Sequence, residues 1–293
     1  MRTFAYERPS HLDEAVALLA AGGAEARPLA GGTDLIIRLR DGTLRPRVVV
    51  DVKGVVELES GIAGVAGGGL RFGARTVMTD ITQDPRVRRD FEALAEAAAV
   101  VGSVQIRNRA TLAGNIANAS PAADTPPALL AFGARVELAG PGGRRTVALD
   151  EVFVRSGVTT MAPDELITAI ELPAPATPMG SAHLRRTRRR GHDLASVALA
   201  CVVGTDGVTR IAYGSVGPRA HLVVDETGVL ADASAPETAK LARLDVLFVD
   251  ASPSPRSMRA GPEYRLAMLR VLGLRGVAIA IERLTARTTG RDA

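Results

Sequence analysis

Apolar residues recur along the first fifty positions in two rhythms. Leu12, Ala15, Val16, Leu18 and Leu19 fall at helical spacing, Ser10 and Asp13 stand where a capping box would open the helix, and Gly22-Gly23 stops the pattern. A short strand follows at Arg27-Pro28-Leu29-Ala30, then the turn Gly31-Gly32-Thr33-Asp34, a helix-like run over residues 35–39, and the unbroken Val48-Val49-Val50 of a buried strand. The predicted order is strand, glycine turn, helix, strand.

From Gly54 onward a second unit is predicted. Residues 70–74 form a hairpin strand, and residues 86–101, with Phe91, Leu94, Ala95, Ala98 and Val101, form one alanine-rich helix ending at Gly102. Residues 111–121 make a small-residue loop, and Asp124-Thr125-Pro126-Pro127 supplies an N-cap and first-turn prolines for a helix through Leu129 and Leu130. Residues 134–138 and 146–149 pair around Gly142-Gly143, and residues 165–172 form a strand. The proline-rich stretch 173–178 can continue neither strand nor helix, which divides the chain into residues 1–174, themselves split near 53 and 54, and residues 175–293. Beyond it, 194–203 and 208–216 flank the hairpin signal Gly204-Thr205-Asp206-Gly207, and a helical pattern runs from Met258 through Ala286. The fold class is α+β.

Composition narrows the chemistry. The 293 residues exceed one ordinary domain, and 46% hydrophobic with 23% charged residues are globular proportions. Cys201 is the single cysteine, which excludes an internal disulfide and an iron–sulfur cluster held by this chain alone. His11, His183, His192 and His221 show no ligand spacing, so no metal is expected. The net charge of +4 comes almost entirely from arginine, Lys53 and Lys240 being the only lysines, and 3% aromatics leave little to stack on bases. No nucleic-acid partner is expected. No stretch approaches the roughly 20 apolar residues of a membrane span and the start lacks an apolar leader core, so a soluble cytoplasmic protein is expected.

Two segments carry chemistry. In Leu29-Ala30-Gly31-Gly32-Thr33-Asp34-Leu35, paired glycines between strand and helix let backbone approach a ligand and point N–H groups at an anion such as a pyrophosphate. A Gly-Gly turn can equally serve only to change chain direction, and the spacing is not the G-x-G-x-x-G of a Rossmann site. In the second segment, residues 110–124, small residues alternate with Asn115, Asn118 and Ser120 and end in Asp124, a surface that can lie flat against a large ligand. The plainer alternative is a solvated loop capped by Asp124. Two such turns on adjacent units suggest a dinucleotide clamped between them.

These segments resemble the two FAD-pyrophosphate motifs of the flavoprotein subunits of molybdenum hydroxylases, the xanthine dehydrogenase and carbon monoxide dehydrogenase family. The resemblance extends over roughly the full length, through residues 4–19, Glu165-Leu166-Ile167-Thr168-Ala169-Ile170-Glu171-Leu172-Pro173, Arg188-Arg189-Arg190-Gly191-His192-Asp193-Leu194-Ala195 and Glu263-Tyr264-Arg265. It implies a two-lobed FAD-binding domain of the PCMH and vanillyl-alcohol-oxidase type over residues 1–174, followed by a C-terminal α+β domain of the carbon monoxide dehydrogenase flavoprotein type.

By the same resemblance, residues 29–35 cradle the pyrophosphate and ribityl region of FAD, with Thr111, Gly114, Asn115, Ala117 and Ala123 opposite. Asp124 would bond adenosine-side or ribityl hydroxyls, Leu166 or Ile167 would wall a flavin or adenine ring, and Arg185 would stand near the isoalloxazine. Where the family commonly has Gly-Gly-Asn this chain has Ala113-Gly114-Asn115; a positive φ at residue 113 would cost alanine about 1 kcal/mol.

No catalytic acid or base is required of such a chain, because the cofactor carries the redox chemistry. The implied partners are a large molybdopterin-binding subunit, a small subunit with 2Fe-2S clusters, and an electron acceptor, which is NAD, a quinone, oxygen or another protein. A stand-alone FAD oxidoreductase and a non-catalytic flavin-binding assembly subunit are the alternatives. The arginine run 185–190 borders the flavin or a neighbouring subunit, or is a solvated basic edge.

Overall fold

The computed structural model describes residues 3–290 other than Arg190 and His192, which belong to the arginine-run segment and lie outside the described residues. Its first helix, Leu12–Gly22, buries Leu12, Ala15, Val16 and Leu19 and ends at Gly23, whose φ of +48° suits only glycine comfortably. The capping box does not form. His11 takes the N-cap position, the Ser10 N–H bonds Glu14, and the orphan N–H of Leu12 is accepted by Glu57 at 3.0 Å. An acceptor 45 residues distant has replaced the local one.

The strand–turn–helix–strand order is present: Ala26–Leu29, Leu35–Arg40 and Val48–Asp51 follow one another, and Val48–Asp51 is the centre of a parallel three-stranded sheet flanked by Ala5–Glu7 and Ala26–Leu29. A five-stranded antiparallel sheet follows in the order Ile62–Gly64, Leu70–Gly73, Leu166–Leu172, Arg135–Gly140, Gly143–Ala148. The predicted helix over 86–101 is instead two, Pro85–Asp90 and Glu92–Ala99, broken at Phe91. Leaving helical geometry lets that ring bury itself edge-on against Phe132, with centroids 5.1 Å apart.

Past the proline-rich stretch, Met179–Arg186, Val197–Gly204, Thr209–Gly214 and His221–Asp225 form an antiparallel sheet, and Pro262–Thr289 lies across it. Val197–Gly204 is buried on both faces, which explains its apolar sequence. Ala200 and Val202 join the core of the first two sheets, while Val197, Leu199, Cys201 and Val203 pack with Leu269, Val277 and Ala280 of the long helix. At Gly180 a Cβ would fall 1.9 Å from the carbonyl oxygen of Ala280, so bare backbone is required where sheet and helix touch. No helix among the described residues is long and apolar enough to cross a membrane.

One ion-pair network spans the five-stranded sheet. Arg71 reaches Glu171 at 2.6 Å and Glu137 at 3.1 Å, Arg144 reaches Glu137 at 2.6 Å, and the Thr168 hydroxyl donates to Glu137. Burial pushes the Glu137 carboxyl up, but hydrogen bonds from Arg71 and Thr168 outweigh it and hold the group down at about 2. The stabilisation is therefore present above the ordinary glutamate value of 4.5 and is lost as pH falls toward 2. Glu137→Gln is expected to lower unfolding free energy by about 2 kcal/mol at pH 7, with the gap from the parent chain narrowing between pH 4.5 and 2 in denaturant titrations.

Candidate functional site

The turn between Ala26–Leu29 and Leu35–Arg40 is set by Gly32, whose φ of +77° is its one left-handed position. The Ile36 N–H bonds the Gly32 carbonyl at 3.0 Å and the Arg38 N–H bonds that of Asp34 at 3.1 Å, which starts the helix. Among the described residues, the N–H groups of Gly31, Gly32, Thr33 and Asp34 make no hydrogen bond to protein. Four consecutive free donors are an anion cradle in search of a ligand.

The second segment is not the loop that its small residues suggest. Leu112–Ala117 is helical, opened by Thr111, whose Oγ1 accepts from the Gly114 N–H at 3.0 Å, and it buries Leu112 and Ile116 four residues apart. Thr111 is itself fixed, since the N–H of Leu112 bonds the Thr76 carbonyl and that of Met78 the Ala110 carbonyl, each at 3.0 Å. Ala113 lies within the helix and outside the left-handed region, so alanine there carries no backbone strain. The two segments meet as bare backbone: a Cβ on Gly31 would sit 2.1 Å from the Arg109 carbonyl oxygen.

Between them opens a cleft of about 830 Å³, the size of a small-molecule site. Ala30, Gly31, Gly32, Thr33, Asp34 and Leu35 line one side, and Thr111, Gly114, Asn115, Ala117, Ala123 and Asp124 another. Leu166 and Ile167 complete the wall, placed there by a β-bulge between Ile167 and Ala169. Leu29 and Arg185 do not line it. The Leu29 side chain packs beneath Gly32, within 3.0 Å of where a Cβ would be, and Arg185 stands one layer back. There it donates to Asp124 Oδ2 at 2.8 Å and to the carbonyls of Val100 and Asp193.

Sequence reasoning missed several lining residues, among them Val101, Gly102, Met161, Pro163, Arg27 and Arg38. The first four sit in the turns that follow Glu92–Ala99 and precede Leu166–Leu172, with no polar side chain to mark them as site residues. Arg27 and Arg38 flank the first glycine turn at positions that could have been flagged by charge: burial lowers the Arg27 pKa, and its neighbour Arg38 lowers it further. Two mutually repelling guanidiniums beside four free N–H groups form an electropositive pocket suited to a diphosphate.

Asp124 is the deepest acid in the wall. It occupies the expected N-cap position of Thr125–Ala131, but its carboxylate makes no capping bond and pairs with Arg185 instead. Burial pushes this carboxyl up to about 7, against the pull of Arg185, and among the described residues Oδ1 has no hydrogen-bond partner. A buried carboxylate oxygen without a partner, on a residue of the cleft wall, leaves acceptor capacity that a donor can still meet. Free N–H groups, cations, apolar walls and an unmet acceptor together match the diphosphate, rings and hydroxyls of FAD.

An α+β fold with two backbone turns closing on one cleft defines a dinucleotide-binding flavoprotein. Residues 2–175 match the family described as the FAD binding domain in molybdopterin dehydrogenase, and the chain belongs to that family. It is 33% identical over 269 residues to the carbon monoxide dehydrogenase medium chain of Hydrogenophaga pseudoflava, covering 90% of this chain and 92% of the relative. It is 30% identical over 289 residues to the xanthine dehydrogenase FAD-binding subunit of Escherichia coli O157:H7, covering 94% and 95%. The solved Hydrogenophaga carbon monoxide dehydrogenase that lacks the Mo-pyranopterin moiety superimposes with a TM-score of 0.88 at 32% identity, covering 96% of this chain and 98% of that one. The protein is thus an oxidoreductase flavoprotein of the xanthine and carbon monoxide dehydrogenase type, with the fold of the medium chain.

Gly31→Ala is expected to destabilise the protein by about 3 kcal/mol, because the Arg109 carbonyl must move, whereas Thr111→Ala should cost about 1 kcal/mol through loss of the N-cap. Thermal unfolding of the two variants checks the order.

Proposed function

We propose that this chain is the FAD-carrying subunit of a heteromeric, molybdopterin-dependent hydroxylase or dehydrogenase in the cytoplasm. Electrons enter it from 2Fe-2S centres of a small subunit, the molybdopterin cofactor belongs to a large subunit, and NAD or another acceptor receives them. The observation that carries this reading is the row of free N–H groups at Gly31–Asp34, faced across one cleft by the Thr111-capped helix. The names of the relatives support a multi-subunit setting, since they are a medium chain and an FAD-binding subunit. Bound FAD supplies one-electron and two-electron redox chemistry, which links single-electron donors to a two-electron acceptor.

The residues of this chain bind, orient and exclude water. The amides of residues 31–34, with Arg27 and Arg38, would neutralise the diphosphate; Thr111, Gly114 and Asn115 would close over it from the opposite side. Asn115 is held by the Thr125 hydroxyl, which donates to its Oδ1 at 2.7 Å. Leu166, Ile167 and Met161 offer apolar wall to a ring, and Asp124 offers an acceptor to a hydroxyl or an imide N–H. Residues 1–174 would form the FAD-binding domain, and residues 175–293 the domain that backs it with Arg185.

Gly32→Trp drives a large side chain against Leu29 and Ile36 at a residue whose φ of +77° suits glycine, which displaces the cradle, and it is expected to reduce FAD retention at least tenfold, read as flavin absorbance of the purified protein. Wild-type protein expressed with its neighbouring genes is expected to co-purify with a large and a small cysteine-rich polypeptide, and its flavin should bleach on substrate addition only in that complex. Flavin retained by Gly32→Trp would overturn the site, and bleaching by substrate without partners would overturn the relay.

A further inference from the structure

Behind the cleft wall two buried polar atoms face each other across a gap that neither fills. His183 lies on the strand Met179–Arg186 with its side chain 2% exposed, and its Nε2 stands 3.8 Å from Oδ1 of Asp124. Among the described residues neither atom has a hydrogen-bond partner. Two orphaned groups 3.8 Å apart at this depth are a hydrogen bond waiting for a small closure, and Asp124 also lines the cleft.

The charges around the pair are already committed. On the same strand Arg185 holds the other Asp124 oxygen. From the helix Glu92–Ala99, Glu96 accepts the backbone N–H of His183 at 2.8 Å and is paired with Arg283 at 2.5 Å, while Glu92 is paired with Arg287 at 2.9 Å, both cations coming from the long C-terminal helix. Asp193 is paired with Arg188 at 3.1 Å. On the neighbouring strand Ala200 stands opposite His183, and Cys201 belongs to the second core. Burial, helped by Arg185, pushes the imidazole down to about 3, which leaves it neutral at ordinary pH with a single N–H to give.

We propose that His183 is a positioning residue: its Nε2–H closes on Oδ1 of Asp124 and holds that carboxylate in place at the cleft wall as the acceptor for a hydroxyl or imide N–H of FAD. This rests on the reading of the cleft as an FAD site. It follows that FAD prefers the ionised carboxylate, so affinity rises with pH through the titration of Asp124. Removing the His183 donor leaves the carboxylate with Arg185 alone, makes its ionised form harder to reach, and moves that titration upward.

The test is FAD titration of the apo full-length chain between pH 5 and 9, followed by flavin fluorescence. The wild-type Kd is expected to rise about tenfold per pH unit below a midpoint near neutrality. His183→Phe, or His183→Leu if the larger ring does not fold, moves the midpoint up by about one pH unit and leaves the plateau Kd at high pH within about twofold. His183→Gln, which keeps a side-chain N–H, returns the midpoint toward wild type, and Asp124→Asn abolishes the pH dependence. A midpoint that stays or falls in His183→Phe, or equal weakening at every pH, overturns the proposal. Wild-type protein that binds FAD with a pH-independent Kd overturns this proposal alone, whereas no FAD binding at any pH overturns the proposed function itself.

Discussion

At residue 31 the chain has no side chain, and the carbonyl of Arg109 occupies the space where one would begin, 2.1 Å from the site of a Cβ. The first glycine turn can lie against the second segment only as bare backbone. That contact brings the free N–H groups of residues 31–34 to face the Thr111-capped helix across one cleft, which neither turn could enclose by itself. Short helices of six residues have weak dipoles and little intrinsic stability, so the cradle depends on tertiary clamping rather than on helix length. Thr76 and Ala110 supply that clamping through the backbone and Thr111 through its hydroxyl.

The C-terminal sheet is part of the site and not an appendage to it. The Ser215 N–H bonds the Pro121 carbonyl at 2.7 Å, and Gly214 lets that loop approach, since a Cβ there would meet the same carbonyl at 2.9 Å. Arg185 reaches from the first strand of this sheet to Asp124 and to the carbonyls of Val100 and Asp193, tying three stretches of cleft wall to one guanidinium. A planar, permanently charged fork suits such a multidentate role. The residue that the resemblance implies near the flavin ring thus touches the cleft wall and not the cleft.

Legibility in the sequence followed the range of the forces involved. The glycine turn, the buried strand Val48–Asp51, the hairpin around residues 204–207 and the long C-terminal helix were readable, because local periodicity and turn chemistry decide them. The break at Phe91 was not, since it answers to a ring 41 positions away in sequence at Phe132. Nor was the helix Leu112–Ala117, whose small residues signal little by propensity and which is held by Thr76 and Thr111. Met179–Arg186 escaped notice because its arginine-rich end resembles a solvated edge; in the fold those charges meet Asp124 and Tyr264. Most of the named site residues line the cleft, while Leu29 and Arg185 support it from behind.

The central claim is that the diphosphate is what the two turns grip. Comparing the affinities of the apo-protein for FAD and for riboflavin, which has the ring and ribityl chain but no phosphate, tests it most directly. FAD is expected to bind at least about 100-fold more tightly, the contribution of two or three charge-assisted hydrogen bonds. Equal affinity for the two flavins would contradict the account.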